Sequence, residues 1–428
     1  MDEVLQRIIL ENQALIAQKR VIKRNVQLSG TGHIKVLTGI RRCGKTCLLY
    51  ELAQRFDPRQ VLFLDFEDER LLFLNGLKSY DIITDAYSML FPGLTPVLFF
   101  DEIQNLNNWH LFLKRLHIKG LDIFVTGSNA HMISREIATY LKGISLETTL
   151  YPFSFSEFLE LKEVTTGAHD QIGRPAEIQR LFREYMEFGG FPEVIRAAAD
   201  DKRLIARNIF NLLFYKDMVT RYGKEEYLLR LLVSKIAENI TKEFSVTSLA
   251  RKINPVYRTS VPTVTEYFNL LPEPYLTFNL LPFRSSFVQR ESKRKTYFAD
   301  NAFIFLNRIE TDHSRLFENL IFIELLRNHR ELFYYRIQGN GEVDFYIPEK
   351  GLLIQACYTL DAEDTYGREK KSLMKALAEL DLRKGYIYTW NDAAKTEVLP
   401  DGKEIEILPF WKTLNLKTKE FTIDKIYD

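Results

Sequence analysis

Short apolar runs separated by amphipathic stretches set the rhythm of the first 150 residues. Runs at 34–38, 61–66, 97–100 and 121–126 are rich in Val, Ile, Leu and Phe, as expected of strands covered by helices on both faces. Between them, 46–56 and 109–116 follow helical spacing, and Trp109, Phe112, Leu113 and Leu116 fall on one face. This alternation is the βαβ rhythm of a parallel sheet and predicts an α/β, doubly wound core. Ahead of it, residues 1–30 read as an amphipathic helix and a basic turn, Lys19, Arg20, Lys23 and Arg24, with the turn taken as a solvated face.

The pattern then changes. From 177 to 223 it is helical, broken by Gly189-Gly190-Phe191-Pro192, a turn that folds one helix back on its neighbours. Helical stretches at 225–239, 244–253 and 263–271 have helix-turn-helix spacing. The segment that would read DNA has no Lys or Arg after Arg258 and contains Glu266, which argues against a strong phosphate-binding surface. A basic wing is expected at Arg290, Lys293, Arg294 and Lys295. Further on, a helix at 313–328 precedes three strands at 332–336, 342–348 and 352–358 that read as a meander.

The chemistry is concentrated at the ends of the early strands. Gly39, Gly44, Lys45 and Thr46 complete G-x-x-x-x-G-K-[ST] between a strand and a helix. Glycines allow backbone N–H groups to turn inward, and the helix start offers its positive end to a phosphate. The loop residues Gly39, Arg41, Arg42, Cys43, Gly44, Lys45, Thr46 and Cys47 are therefore the candidate phosphate-binding set. Lys45 is placed to reach the β- and γ-phosphate oxygens, and the Thr46 hydroxyl to enter a Mg²⁺ shell. The apolar run at 97–100 ends in Asp101-Glu102, where parallel sheets bind ligands. Asp101 is the candidate for holding Mg²⁺ through water, and Glu102 for polarising the attacking water. The run at 121–126 ends in Gly127-Ser128-Asn129, so Ser128 or Asn129 is expected to sense the γ-phosphate.

With these motifs in view, the chain resembles the prokaryotic AAA-type ATPases that carry a C-terminal domain of unknown function. The resemblance rests on GIRRCGKT, FLDFEDERL (63–71), LFFDEIQN, VTGSNA, YPFSFSEF (151–158) and FGGFPEV (188–194). It implies an additional-strand P-loop core over 1–165 and a helical lid-like segment over 166–224. It further implies a winged-helix-like domain over 225–296 and a C-terminal domain similar to the PD-(D/E)XK nuclease fold over 297–428. ATP as the nucleotide is likewise implied by the resemblance. So is a second candidate metal set, Glu318, Asp344 and Gln355. Cys357 stands where that pattern has a lysine, so a degenerate scaffold is expected there. The family's Gly-Arg before the YPFSFSEF block is here Gly143-Ile144; Lys142 or Arg135 is the candidate replacement, with Arg41 and Arg42 of the loop as alternatives. Loss of such an arginine can cost about 10³- to 10⁵-fold in rate, which points to a slow ATPase.

Composition narrows the remainder. Lys plus Arg number 58 against 57 acidic residues, so the global charge gives no nucleic-acid footprint. Cys43, Cys47 and Cys357 are too few for a disulfide framework, and no apolar run approaches the length of a membrane span. A cytoplasmic protein without a membrane partner is expected. The leading reading is a Mg²⁺-dependent ATPase that drives its accessory domains. The alternatives are a non-hydrolysing, nucleotide-dependent module that binds DNA or a protein, and an ATP-gated nuclease; a homo-oligomer is compatible with each.

Overall fold

The computed structural model describes residues 2–26, 28, 32–128, 136–137, 139–164, 174–283, 293–307, 312–339, 341–361 and 363–414. They form two compact units, Met1–Tyr151 with Glu273–Tyr275, and Pro152–Pro272 with Leu276–Asp428.

The first unit runs α1 (Asp2–Gln18), β1 (Ile34–Gly39), α2 (Lys45–Ala53), β2 (Val61–Asp65), α3 (Asp81–Leu90), β3 (Val97–Asp101), α4 (Trp109–Ile118), β4 (Ile123–Gly127) and β5 (Ser145–Leu150). Its five strands are all parallel, in the order β2-β3-β4-β1-β5. Strands β1, β3 and β4 are buried at every position, as strands covered by helices on both faces must be. On one face Val36, Leu62, Leu64, Leu98 and Phe100 meet Leu5, Ile8 and Ile9 of α1 and Trp109, Phe112, Leu113 and Leu116 of α4. On the other, Phe99 stacks on Phe124 with centroids 4.9 Å apart. The order places β4 between β1 and β3, so three consecutive strand ends aim their polar residues at one crevice. This is the α/β P-loop core expected of the sequence.

The edge strand β5 escaped the hydrophobic pattern, because Ser145–Leu150 is polar and only its last residue is buried. Its place is held instead by backbone pairing along the whole of β1. There Gly39, at φ 142°, lies so close that a Cβ would meet Leu150 O at 2.1 Å. Only glycine fits that approach.

The second unit begins with α5 (Phe155–Leu161), α6 (Pro175–Phe188), α7 (Pro192–Arg196) and α8 (Lys202–Leu212), the last continued by π-helical turns over Leu213–Thr220. The break after α6 has a specific cause. A Cβ on Gly189 would overlap the Asp300 carboxylate, and one on Gly190 would lie 2.1 Å from Phe153 O. Asp300 accepts from Gly190 N at 2.8 Å and from Ala302 N at 2.9 Å. Three helices follow, α9 (Glu226–Glu238), α10 (Val246–Ile253) and α11 (Val261–Leu270), then the hairpin β6 (Thr277–Pro282) and β7 (Lys295–Phe298). Helices α12 (Asn301–Leu306) and α13 (His313–Asn328) lead to β8 (Phe333–Arg336), β9 (Glu342–Ile347) and β10 (Leu352–Ala356), the expected meander. After α14 (Glu363–Glu379), β11 (Lys384–Thr389), β12 (Lys395–Val398) and β13 (Glu404–Pro409) extend the sheet. Its order is β12-β13-β11-β10-β9-β8-β6-β7.

Among the described residues of the expected basic wing, each cation is engaged within the unit, Lys293 pairing with Glu243 at 3.0 Å. Lys295 is 1% exposed and ion-paired, because its β7 position turns it toward carboxylates of the same unit. Arg294 pairs its backbone with Phe244 and sets its guanidinium over the Phe268 ring; Arg290 lies outside the described residues. No helix among the described residues is long and apolar enough to cross a membrane.

Candidate active site

The loop between β1 and α2 is built for tight curvature. Gly44 caps α2 with φ 102° and Arg42 also has positive φ, at 68°. Lys45 opens the helix and folds over the loop, donating from Nζ to Gly39 O at 3.0 Å and Ile40 O at 3.3 Å. Cys43 is buried and donates from Sγ to Leu150 O, and burial raises its thiol pKa. Arg42 and Cys47 are exposed. Arg24, from the turn read as a solvated face, is buried instead and clamps the loop: its Nη1 donates to Cys43 O at 2.8 Å and its Nη2 to Tyr151 O at 2.9 Å. A lone arginine in a basic cluster gave no signal of that role.

The acidic pair divides into two environments. Asp101 accepts from the Thr46 hydroxyl at 2.6 Å and from the Thr126 hydroxyl. Burial, and then the charge of Glu102, push its pKa up to about 6 against those two hydrogen bonds. Glu102 takes a left-handed conformation, φ 49° and ψ 48°. Its N–H donates to Thr126 Oγ1 at 2.9 Å. Its carboxylate lies 3.7 Å from Lys45 Nζ and accepts from Gln104 Nε2 at 2.5 Å and Ser128 N at 3.2 Å. Burial would raise the Glu102 pKa, but Lys45, the Gln104 hydrogen bond and Arg41 outweigh it, and the group titrates below the usual range. Arg41 spans Glu67, at 3.0 Å, and Ser128 Oγ, at 3.4 Å.

Lys45, Thr46, Asp101, Glu102 and Ser128 therefore share one network, with Gly39, Arg41 and Gly44 shaping its walls. Asn129 and Arg135 lie outside the described residues; Lys142 is exposed. Thr126, Gln104 and Arg24 were missed. Thr126 carried the only readable trace, a hydroxyl on an otherwise apolar strand. The donors suit magnesium, since a hydroxyl and a carboxylate already converge and such ions take the rest of their shell from phosphates and water. Among the described residues no group of three or more His, Cys, Asp or Glu could hold a metal ion, and a site completed by substrate oxygens does not need one.

The second candidate set lies in the second unit. Lys295 Nζ reaches Asp344 and Glu342 at 2.8 Å and Glu318 at 3.5 Å. Burial alone would lower its pKa, yet these three carboxylates, Asp344 foremost, hold it well above the usual lysine value. Burial and the Asp344 charge push Glu318 up to about 8. Gln355 stands beside the cluster, accepting from Asp344 N and donating to Glu369. Cys357 donates to Thr359 O, and burial pushes its thiol up to about 12.

Residues 31–159 match the sequence family described as an AAA domain, and residues 179–310 match a domain of unknown function, DUF8612. An uncharacterized protein of Methanocaldococcus jannaschii is 33% identical over 96% of this chain and 94% of its own length. An uncharacterized protein of Haemophilus influenzae is 26% identical over 94% of this chain and 99% of its own. Among solved structures, the Walker-type ATPase of Pyrococcus abyssi aligns with a TM-score of 0.45 at 13% identity, covering 69% of this chain and 100% of that one.

Proposed function

From the premises that this chain belongs to one family with its 33%-identical archaeal relative and that residues 31–159 match an AAA domain, we propose that it binds ATP with Mg²⁺ and hydrolyses it to ADP and phosphate. The observation that carries this reading is the buried Lys45–Glu102 pair set beside the Thr46–Asp101 hydrogen bond. Thr46 and Asp101 would hold magnesium. When bound, that ion neutralises charge on the β- and γ-phosphate oxygens. Lys45 is close enough to the loop to exchange its carbonyl contacts for phosphate oxygens. Glu102, kept ionised by its surroundings, accepts a proton from the attacking water. Ser128, at the tip of β4, lies between Glu102 and Arg41 and registers whether a γ-phosphate is present.

Nucleotide state would then set the behaviour of the second unit. Its three helices and hairpin are consistent with a winged-helix module, and the cluster around Lys295 with a nuclease-like scaffold whose carboxylates are neutralised internally.

The test is phosphate release at saturating Mg·ATP, beside equilibrium binding of a fluorescent ATP analogue. Glu102→Gln should bind nucleotide yet lose at least about 100-fold in rate, and Lys45→Ala should lose binding. A wild-type rate equal to that of Glu102→Gln would replace hydrolysis with a nucleotide-binding switch. Absence of binding by the wild type would end both readings.

A further inference from the structure

The turn that closes β3 does more than place Glu102 beside Lys45. Ile103–Asn105 forms a single 3-10 turn directly after the left-handed Glu102, which brings the Gln104 amide back onto the carboxylate it follows. Gln104 Nε2 donates to Glu102 Oε2 at 2.5 Å. The other end of the amide is different. Gln104 Oε1 is buried and has no hydrogen-bond partner among the described residues. Charge decides which end is which, because the reversed amide would set a carbonyl oxygen against a carboxylate.

A buried acceptor without a donor is costly, and where one persists it calls for an explanation. Glu102 Oε2 is taken up by Gln104 and the Ser128 amide, whereas Oε1 faces Lys45 at 3.7 Å. The two oxygens still able to accept, Glu102 Oε1 and Gln104 Oε1, thus belong to side chains tied to each other. A water molecule has two protons to give.

We propose that Gln104 is a positioning residue for hydrolysis: its Nε2 holds the Glu102 carboxylate, and its Oε1 accepts a hydrogen bond from one O–H of the attacking water as that water enters, while Glu102 takes the proton of the other. The assignment rests on the ATPase reading above. In the step itself the water oxygen bonds to the γ-phosphorus, and the bond to the bridging oxygen breaks with its electron pair left on ADP. One water proton passes to Glu102 and on to solvent; the proton facing Gln104 stays with the phosphate product.

The experiment uses the full chain and the variants Gln104→Leu and Gln104→Glu, the second conserving length in case the first folds poorly. Gln104→Leu should lower kcat by about 10- to 100-fold, the loss expected for one hydrogen bond to a charged group. Affinity for the fluorescent ATP analogue should change less than about twofold, since Gln104 contacts Glu102 and the water and not the nucleotide. Affinity for ADP with aluminium fluoride, which mimics the reacting phosphoryl group, should fall with kcat. Gln104→Glu should act in the same direction. In a Glu102→Gln background, Gln104→Leu should have little further effect, because the two act as one unit. An unchanged kcat, equal losses of kcat and ATP affinity, or an undiminished effect in the Glu102→Gln background would each overturn the assignment while leaving the ATPase intact. A wild-type chain that binds no Mg·ATP overturns the ATPase reading and this assignment together.

Discussion

Replacing Lys45 with alanine probes the centre of the site with no nucleotide added. The two side chains of the Lys45–Glu102 pair are 4% and 10% exposed, with 3.7 Å between Nζ and Oε1. At that separation and an effective dielectric constant of 20, their attraction is about 4 kcal/mol. Removing one partner of a buried pair leaves the other charge without compensation, and such losses run at about 3–5 kcal/mol. Lys45→Ala is therefore expected to destabilise the first unit by that amount. Glu102→Gln removes the charge that Lys45→Ala leaves behind, so the double variant should regain much of the loss, with a coupling of about 2–3 kcal/mol. Urea midpoints of the four full-length proteins measure the cycle, provided the slopes agree. Mg·ATP at 100 times its Kd should then add about 2.7 kcal/mol to the wild type and to Glu102→Gln, and nothing to either Lys45 variant. Losses that add to within about 0.5 kcal/mol would refute the reasoning. They would mean that the Gly39 and Ile40 carbonyls, not Glu102, fix the ammonium.

Three further outcomes are expected. Gly189→Ala combines a φ of 76° with direct overlap of the Asp300 carboxylate; losing that group's bonds to Gly190 and Ala302 should cost about 3–5 kcal/mol, and a urea midpoint matching the wild type would contradict it. Metal binding requires the Asp101 carboxylate to be ionised, and its pKa is pushed up to about 6. Affinity for Mg·ATP should thus hold above pH 7 and decline as pH falls through 6, relative to an Asp101→Asn control that also cancels the titration of ATP; parallel profiles of the two proteins over pH 5 to 8 would count against the assignment. Lys295→Met leaves Asp344 and Glu318 buried without their cation and should destabilise the second unit by about 3–5 kcal/mol, partly recovered by adding Asp344→Asn; simple additivity in thermal or urea unfolding would show that the cluster is not a coupled pair.

Much of the first unit was legible because its signals are local. Strands β1 to β4 are buried on both faces, so their composition alone marked them, and the loop pattern at 39–46 is contiguous. The edge strand β5 was invisible for the converse reason: Ser145–Leu150 owes its place to backbone pairing with β1, which leaves no side-chain pattern. The supporting residues failed the same test. Arg24 lies 19 positions before the carbonyl it holds and 127 before the other. Thr126 lies 25 positions from Asp101. Only the folded sheet, with β4 between β1 and β3, brings those groups together.

The cluster in the second unit carries this argument one step further. The resemblance implies a cation at Cys357, because the family pattern has a lysine two positions after Gln355. The structure supplies one from Lys295, 49 residues before Asp344, on a hairpin read as a solvent-facing wing. Buried carboxylates must be compensated by a positive charge, a proton or a metal, and that requirement does not specify where the charge comes from. Glu318 shows the second route in the same cluster, its pKa raised to about 8 by burial and by Asp344 even with Lys295 beside it. The same holds for Lys45 and Glu102, where the loop lysine neutralises the carboxylate across the crevice. A motif read along a chain identifies the anions a site gathers; the partner that balances them is chosen by the three-dimensional fold, and in both units that partner is a lysine with its stem buried and its ammonium enclosed.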